Sequence, residues 1–363
     1  MKKFLFVLAI FFFMPINIFA QQLDEQLNNF DFENVNTLIN ENASEQFDFK
    51  SLTKKIILGH FDFLSIFDFV RKIFFDEFEK NLFGIKNLLL LIILSGIIKN
   101  LSDSFKTKSV AQIAFYISYI VISSNLFSAF KILVGISENF LQSLLQIMQA
   151  SLPLIISLMT MSGNFYASSV FNPVIFLFAD FIIMIINYML PIVVMFVAVQ
   201  IINNMTGKNL IANFAALIKN VIGWILKIVS FAFMSILSLQ RISAPLLENI
   251  TVKTAKFAIN TVPVVGEVFT GALDSVMSWA HVIKNGAMIA LVVSIFLVCM
   301  IPIIKLGIFI LIYKILGAVV QPISDERIVK STEAIADACV LLLSCCFTAV
   351  VIFLFAVMIF ISV

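Results

Sequence analysis

The feature that most constrains this sequence is a series of apolar runs about as long as a lipid bilayer is thick. Two examples are "FNPVIFLFADFIIMIINYML", from residue 171, and "IPIIKLGIFILIYKILGAVV", from residue 301. A helix needs about 20 mostly apolar residues to cross the hydrocarbon core. With 61% hydrophobic and 13% charged residues, the 363-residue chain cannot hide its apolar surface inside one soluble core. We therefore predict an all-α polytopic membrane protein.

The charge balance and the cysteines indicate neither a nucleic-acid partner nor a cysteine-based metal or redox site. A formal net charge of +2 gives no reason to expect nucleic acid as a partner, so none is predicted. The four cysteines lie in or beside apolar runs, and no CxxC or Cys/His cluster occurs. We predict that they are small buried hydrophobic residues.

Residues 1–20 have the pattern of a secretory signal peptide. A basic start at Lys2 and Lys3 precedes an apolar run, and Ala20 stands before a polar stretch. Because Ile18 occupies a position where a small residue is usual, an uncleaved first anchor is the alternative. Either arrangement places the following segment outside the cytoplasm.

Residues 21–85 are predicted to form an extracytoplasmic amphipathic helical segment. Phe-Asp-Phe triplets recur in it, and apolar residues between 63 and 78 repeat every three or four positions opposite acidic and basic ones. Such a segment lies on the outer membrane surface or docks against a partner, and the sequence favours neither.

Residues 86–136 are predicted to hold the first two spans. The apolar run between Lys86 and Lys99 is short, but it can cross if its lysines snorkel. The next loop carries Lys106 and Lys108, as cytoplasmic loops tend to do. The chain then returns outward.

The rest of the chain has the pattern of two membrane repeats, residues 137–240 and 248–362. Identical residues recur at an offset of 110, and each unit combines an interfacial helix, a short apolar segment, a long proline-containing span and a second span. The matched pairs are Glu138 and Glu248, Pro153 and Pro263, Thr160 and Thr270, and Ser168 and Ser278.

The short apolar segments, 151–169 and 257–281, are predicted to be paired re-entrant hairpins. Short, interrupted segments at matching places in two repeats are typical of a transport site or pore. Pro153 and Pro263 should each break the preceding helix where the chain enters the membrane. The prediction is thus about six spans plus two hairpins, or about eight spans if the hairpins cross.

Polar residues inside the apolar runs are the candidate functional residues. Their spacing puts several on one helix face, and such faces should point into the bundle because a charge in hydrocarbon is costly. Asp180 either contacts Lys219 or Lys227 as a structural pair or contributes to an ion or solute path. The candidate pore or transport-lining residues are Pro153, Asn172, Asp180, Asn187, Lys219, Lys227, Pro263, Glu267 and Asp274.

No catalytic pattern accompanies these residues. HExxH, Walker A and Gly-x-Ser-x-Gly motifs are absent from the sequence, and the two histidines, His60 and His281, have no metal-ligand set around them. We therefore expect no enzyme activity, no cofactor and no metal.

Three stretches resemble the stage III sporulation protein AE family of endospore-forming bacteria. They are "SLPLIISLMTMSGNFYASSVFNPVIFLF" (151–178), "KTAKFAINTVPVVGEVFTGALDSVMS" (253–278) and "IPIIKLGIFILIYKILGAVVQPIS" (301–324). The Thr-Ala-Lys-Phe and Tyr-Lys…Gln-Pro stretches are more specific than general hydrophobicity. The resemblance covers roughly residues 80–362, and it adds little over 21–79.

The resemblance implies a role that composition does not. Proteins of this family are multi-pass components of the mother-cell membrane around the forespore. With other stage III sporulation membrane proteins and an ATPase, they form a passage between the two cells. The chain is thus expected to be a transporter-like membrane component of that channel complex. A self-sufficient secondary transporter of an ion or small solute is the alternative, and a purely structural scaffold is a third reading.

Overall fold

The computed structural model of the protein describes residues 23, 27, 28, 30, 32–42, 48–62, 64–103, 108–164, 172–207, 209–260 and 265–362. Eight helices occupy these ranges. They are α1 (Glu33–Asn42), α2 (Phe49–Ile57), α3 (Leu64–Asp103), α4 (Lys108–Met161), α5 (Asn172–Thr206), α6 (Ala212–Asn260), α7 (Val265–Val320) and α8 (Glu326–Ser362). The predicted signal peptide and Pro263 lie outside the described residues. Over the described part, the all-α prediction is confirmed.

Five of these helices contain stretches long and apolar enough to cross a membrane. The stretches are Gln112–Met161, Pro173–Thr206, Ala212–Gln240, Met277–Val320 and Glu326–Ile361. The protein is therefore a multi-pass membrane protein. The predicted span between Lys86 and Lys99 lies within α3 and is not among the five. Because many of its side chains are outside the described set, that span stays a prediction.

The long helices pack lengthwise into one bundle with two distinct ends. Helices α4 and α5 are antiparallel: Tyr119 contacts Ile201 near one end, and Gln149 contacts Asp180 toward the other. Helix α6 folds back along α5, with the rings of Phe178 and Phe233 stacked 6.5 Å apart between centroids. The end of the bundle that contains Tyr119 and Ile201 is called the 119/201 end below.

Helix α8 lies at the centre of the bundle. It packs against α4, α5, α6 and α7, most extensively against α7. Phe176 of α5 stacks on Phe360 of α8 at 6.0 Å and meets Phe353 edge-on at 6.5 Å. Cys299 and the three cysteines of α8 are free and buried, as predicted. The core thus consists of apolar side chains from helices distant in the sequence.

The N-terminal helices lie along α7. Ile57 of α2 packs on Gly286, Lys305 Nζ lies 3.4 Å from Glu77 Oε2 of α3, and Gly96 lies against Ile323. Along α3, the later residue contacts the later part of the partner segment, so α3 runs in the same direction as α7. The 119/201 end therefore also includes the end of α3.

The prediction that Pro153 breaks a helix is wrong. Helix α4 runs through Pro153 without interruption and ends at Met161. A proline removes one backbone hydrogen bond, but the flanking turns are fixed by packing, with Leu154, Ile155 and Leu158 buried. The helix ends instead before Gly163, whose φ of 84° is open mainly to glycine. Part of each proposed hairpin, 165–169 and 261–264, lies outside the described residues, so the re-entrant hairpins remain a prediction.

Candidate functional site

The turn between α5 and α6 places several amides at the 119/201 end. Helix α5 ends at Thr206 because Gly207 follows with a φ of 65°, and a Cβ there would lie 3.1 Å from Arg327 Nε. Asn203 Oδ1 accepts a hydrogen bond from the Ile211 N–H at 3.0 Å. This bond fixes the turn and holds one amide of the site in place.

The first turns of α8 supply charged side chains to the same place. Asp325 Oδ1 accepts a hydrogen bond from the Arg327 N–H at 3.0 Å and caps the helix. Lys330, Glu333 and Asp337 are three and four residues apart, a spacing that puts them on one face of α8. That face turns toward the ends of α5 and α7.

These elements enclose a polar cavity of about 560 Å³, which we call the polar cavity. It is lined by Gln200, Asn203, Asn204, Asn209, Ala212, Lys314, Ala318, Gln321, Lys330, Glu333, Ala334, Ala336 and Asp337. A second cavity of about 480 Å³ adjoins it beside Arg327 and shares Asn204, Asn209 and Lys330 with it. Amide and charged groups at the end of apolar spans require water or a polar ligand.

Some charges at the polar cavity are paired, and two are not. Lys219 Nζ lies 2.8 Å from Asp337 Oδ2, and Lys330 Nζ lies 2.8 Å from Glu326 Oε1. Lys314 and Glu333 also line the cavity, but neither has an ion-pair partner among the described residues. The cavity therefore presents one cation and one carboxylate that are available to a polar ligand.

A buried polar contact closes the bundle beside the cavity. Tyr119 Oη of α4 lies 2.6 Å from Ile201 O of α5 and 2.7 Å from Ser331 Oγ of α8. The Arg327 guanidinium lies 4.7 Å from the centre of the Phe115 ring, close enough for a cation–π interaction. Because these contacts join three helices, they fix the wall of the polar cavity.

Of the two alternatives for Asp180, the structural pair with Lys219 or Lys227 is wrong. Asp180 Oδ2 accepts a hydrogen bond from Gln149 Nε2 at 3.2 Å, and Lys219 pairs with Asp337 instead. The physical reason is the bundle geometry, in which α8 lies next to α6 and offers a nearer carboxylate. Asp180 is 26 residues from Thr206, so it lies about 39 Å along α5 from that end.

The face of α6 with Lys219 and Lys227, which was predicted to point into the bundle, does so only in part. Lys227 is exposed on the outside of the bundle, so the prediction that its polar face points inward is wrong for this residue. Lys219 is the one predicted residue that contacts the lining of the polar cavity in the described part of the chain. A helix at the edge of a bundle can place the same residues outward.

The other predicted residues are not brought together at the cavity. Asn187 is half-buried on α5, and Pro153 is exposed within α4. Asn172, Glu267 and Asp274 belong to helices, but their side chains are outside the described set. The proposed functions of all these residues stay predictions.

Sequence reasoning missed most of the cavity lining. Asn203 and Asn204 belong to the stretch "NNMTGKN" at the end of a span, which has the composition of an ordinary turn and so gives no sign of a site. Lys330, Glu333 and Asp337 could have been recognised, because a spacing of three and four residues before an apolar run predicts one polar helix face. The missing information was which other helix ends meet that face.

The fold and the cavity define an all-helical, multi-pass membrane protein with a polar cavity at one end. The sequence profile of the stage III sporulation protein AE family matches residues 47–363. The protein therefore belongs to that family, as its resemblance predicted, and it has a role in sporulation.

A curated relative supports the assignment. The chain is 28% identical to the stage III sporulation protein AE of Bacillus subtilis strain 168 over 253 residues. These residues are 69% of this chain and 63% of the relative, so the match spans less than two thirds of the relative's length. No solved structure matches the chain.

Proposed function

We propose that the protein is the transporter-like membrane component of the channel complex that links the mother cell and the forespore. Membership of the stage III sporulation protein AE family supports a role in sporulation. The observation that carries the transport part is the polar cavity, in which Lys314 and Glu333 have no ion-pair partner among the described residues. A purely structural bundle has no need of unpaired charges at such a place.

The chemistry of the cavity suits a small hydrophilic solute. Its lining combines amide groups, which donate and accept hydrogen bonds, with side chains of both charges. Such a site binds a polar molecule without requiring one particular net charge. The proposed role of Lys314 and Glu333 is to bind the solute at the mouth of the passage.

We place the polar cavity on the cytoplasmic, mother-cell side of the membrane. Cytoplasmic loops tend to be rich in basic residues. The sequence carries Lys106 and Lys108 where α3 is followed by α4, and Lys314, Arg327 and Lys330 line the two cavities at the 119/201 end. The predicted extracytoplasmic N-terminus gives the same orientation, because α3 then runs inward toward this end.

The partners and the finer topology belong to this proposal. The proposed partners are other stage III sporulation membrane proteins and their ATPase, and the proposed location is the mother-cell membrane around the forespore. Residues 1–20 are proposed as a signal peptide, and 151–169 and 257–281 as the re-entrant hairpins. Reporters fused at Gly135 and Ser169 test the first hairpin, because both should then read extracytoplasmic.

The function is tested by counting heat-resistant spores in a strain that carries only the altered gene. Lys314→Gln and Glu333→Gln should each lower the count well below wild type while the protein still reaches the membrane. Lys131→Gln is the matched control, because Lys131 is an exposed lysine on α4 away from the cavity lining. Normal sporulation by both cavity variants would contradict the proposed role of the cavity.

A self-sufficient secondary transporter is the second candidate. Asp180 favours it, because its Oδ1 is buried without a hydrogen-bond partner in the described part of the chain. Such a carboxylate within an apolar run is typical of ion-coupling sites. Ion-driven solute uptake by the chain alone in proteoliposomes, abolished by Asp180→Asn, would support this candidate over a channel component that needs partners.

A further inference from the structure

An apolar groove lies on the outer surface between α4 and α5. Its volume is about 300 Å³, and its described lining contains no charged residue. Ile120 and Ile202, one on each wall, are 55% and 57% exposed, so the groove opens away from the bundle. We call it the α4/α5 groove. Its walls include Tyr119, Ile120 and Phe127 of α4 and Ala198, Ile202 and Met205 of α5.

The α4/α5 groove runs along the membrane-crossing parts of its two helices. Both walls belong to stretches long and apolar enough to cross a membrane. Ile120 to Phe127 on one wall and Ala198 to Met205 on the other each advance about 10 Å along the helix axis. Because hydrocarbon is the surrounding medium at this depth, an acyl chain is the molecule that fills such a groove.

A guanidinium lies just beyond the shallow end of the α4/α5 groove. Phe115 is one turn before Tyr119 on the same face of α4, and their ring centroids are 5.9 Å apart. The Arg327 guanidinium lies 4.7 Å from the centre of the Phe115 ring. On the other wall, Met205 lines the groove, and Gly207, two residues later, lines the cavity beside Arg327. Both walls of the groove therefore lead to Arg327.

Arg327 has hydrogen-bonding capacity left for an anion. Its Nε lies 3.9 Å from Asp325 Oδ1, and its two terminal nitrogens donate no hydrogen bond to the described residues. The two nearby carboxylates have other partners. Asp325 Oδ1 accepts a hydrogen bond from the Arg327 N–H, and Glu326 Oε1 lies 2.8 Å from Lys330 Nζ. A guanidinium stacked on an aromatic ring keeps its edge free, and that edge matches two oxygens of a phosphate.

We propose that the α4/α5 groove and Arg327 together bind one membrane phospholipid. One acyl chain fills the groove, and the terminal nitrogens of Arg327 bind the phosphate. An acyl chain without a phosphate would leave the edge of Arg327 unused, and a free phosphate would leave the groove empty. A phospholipid satisfies both, since its phosphate lies at the membrane surface directly beyond its chains. This site goes beyond the proposed channel role, and it holds for either orientation of the chain in the membrane.

The phosphate contact is tested by native mass spectrometry of the full chain in detergent, which gives the affinity for the first bound lipid. The probes are dioleoylphosphatidylglycerol and dioleoylglycerol, which have the same chains and differ in the phosphate. The wild-type chain should bind the phospholipid about tenfold more tightly. Arg327→Gln should bind both equally, whereas Lys131→Gln, a matched variant at an exposed lysine of α4, should keep the preference. If Arg327→Gln does not fold, Arg327→Lys takes its place and should lower the preference, because a lysine cannot bind a phosphate through two parallel hydrogen bonds.

The groove is tested separately with Ala198→Phe, whose ring would occupy the space of the acyl chain. This variant should bind both lipids several-fold more weakly, because apolar contacts with the chain are lost. Ala216→Phe, at an exposed alanine of α6, should change neither affinity. Excess inorganic phosphate should displace neither lipid, since it has no acyl chain. Equal affinity of the wild-type chain for the two lipids, an unchanged preference in the Arg327 variant, full binding by Ala198→Phe, or displacement by phosphate would each overturn the site.

Discussion

Helices α6 and α8 carry similar polar residues within apolar spans, but the bundle treats them differently. On α8, Ser331 and Asp337 meet partners from α4 and α6. On α6, Asn220 and Lys227 face outward. In the most apolar stretch of each helix, 56% of the residues are buried in α8 and 28% in α6. The comparison teaches that the position of a helix in the bundle decides whether its polar residues form a site or a surface.

The physical basis is the cost of an unsatisfied polar group in hydrocarbon. Where several helices surround a polar residue, side chains and trapped water supply its hydrogen bonds. A helix at the edge has neighbours on one side alone, so its other side faces lipid or water. The inner residues should therefore contribute more to stability than the outer ones.

The largest effect on stability is expected from Tyr119→Phe. Removal of this hydroxyl leaves Ile201 O and Ser331 Oγ without one of their partners, which should lower the free energy of unfolding by about 1 to 3 kcal/mol. Tyr116→Phe, at an exposed tyrosine on the same helix, should change it by less than about 0.5 kcal/mol. Denaturant unfolding in detergent measures both, and equal losses would show that the buried contact has no special weight.

Two glycine substitutions should change stability in opposite directions. Gly207→Ala should destabilise the chain by about 1 to 2 kcal/mol, because alanine is strained at a φ of 65° and its Cβ would crowd Arg327. Gly223→Ala should stabilise α6 by up to about 1 kcal/mol, because alanine is the better helix former and the space is open. The same unfolding assay tests both; stabilisation by Gly207→Ala would contradict the described turn.

The ion pair of Lys219 and Asp337 should contribute less. Its side chains are 47% and 45% exposed, so solvent screens the 2.8 Å contact, and the coupling energy should be below about 1 kcal/mol. A double-mutant cycle with Lys219→Met and Asp337→Asn measures the coupling. A value of several kcal/mol would mean that this end of the bundle is drier than its exposure indicates.

The smallest effect on the isolated chain is expected from Lys227→Gln. Because Lys227 is exposed and unpaired among the described residues, unfolding in detergent should change by less than about 0.5 kcal/mol. A large loss of stability in detergent would mean that Lys227 has a structural role inside one chain.

Much of the fold was predictable because long apolar runs define membrane helices directly. The five identified spans coincide with runs that were read from the sequence, and the buried cysteines follow from their apolar surroundings. Helix ends were harder to predict. Pro153 is a helix breaker by residue type, yet packing of its neighbours keeps α4 continuous. Local preference loses to tertiary contacts at such a position.

The candidate site was less predictable because it depends on contacts between distant segments. Lys219 could be recognised as a lysine within an apolar run, but its partner Asp337 is 118 residues away. The periodicity of α6 places Lys219 and Lys227 close to one face, yet it cannot say which side of the helix meets the bundle. The polar cavity forms only where the ends of α5, α7 and α8 meet.

The most direct test of the account is the accessibility of Glu333→Cys from each side of the membrane. A membrane-impermeant thiol reagent should label it rapidly from the cytoplasmic side in inverted vesicles and should not label it in intact protoplasts. Val174→Cys, in the first turn of α5 at the opposite end of the bundle, should show the reverse pattern. Labelling of Glu333→Cys from the outside alone, or from neither side, would contradict a hydrated cavity that opens to the cytoplasm.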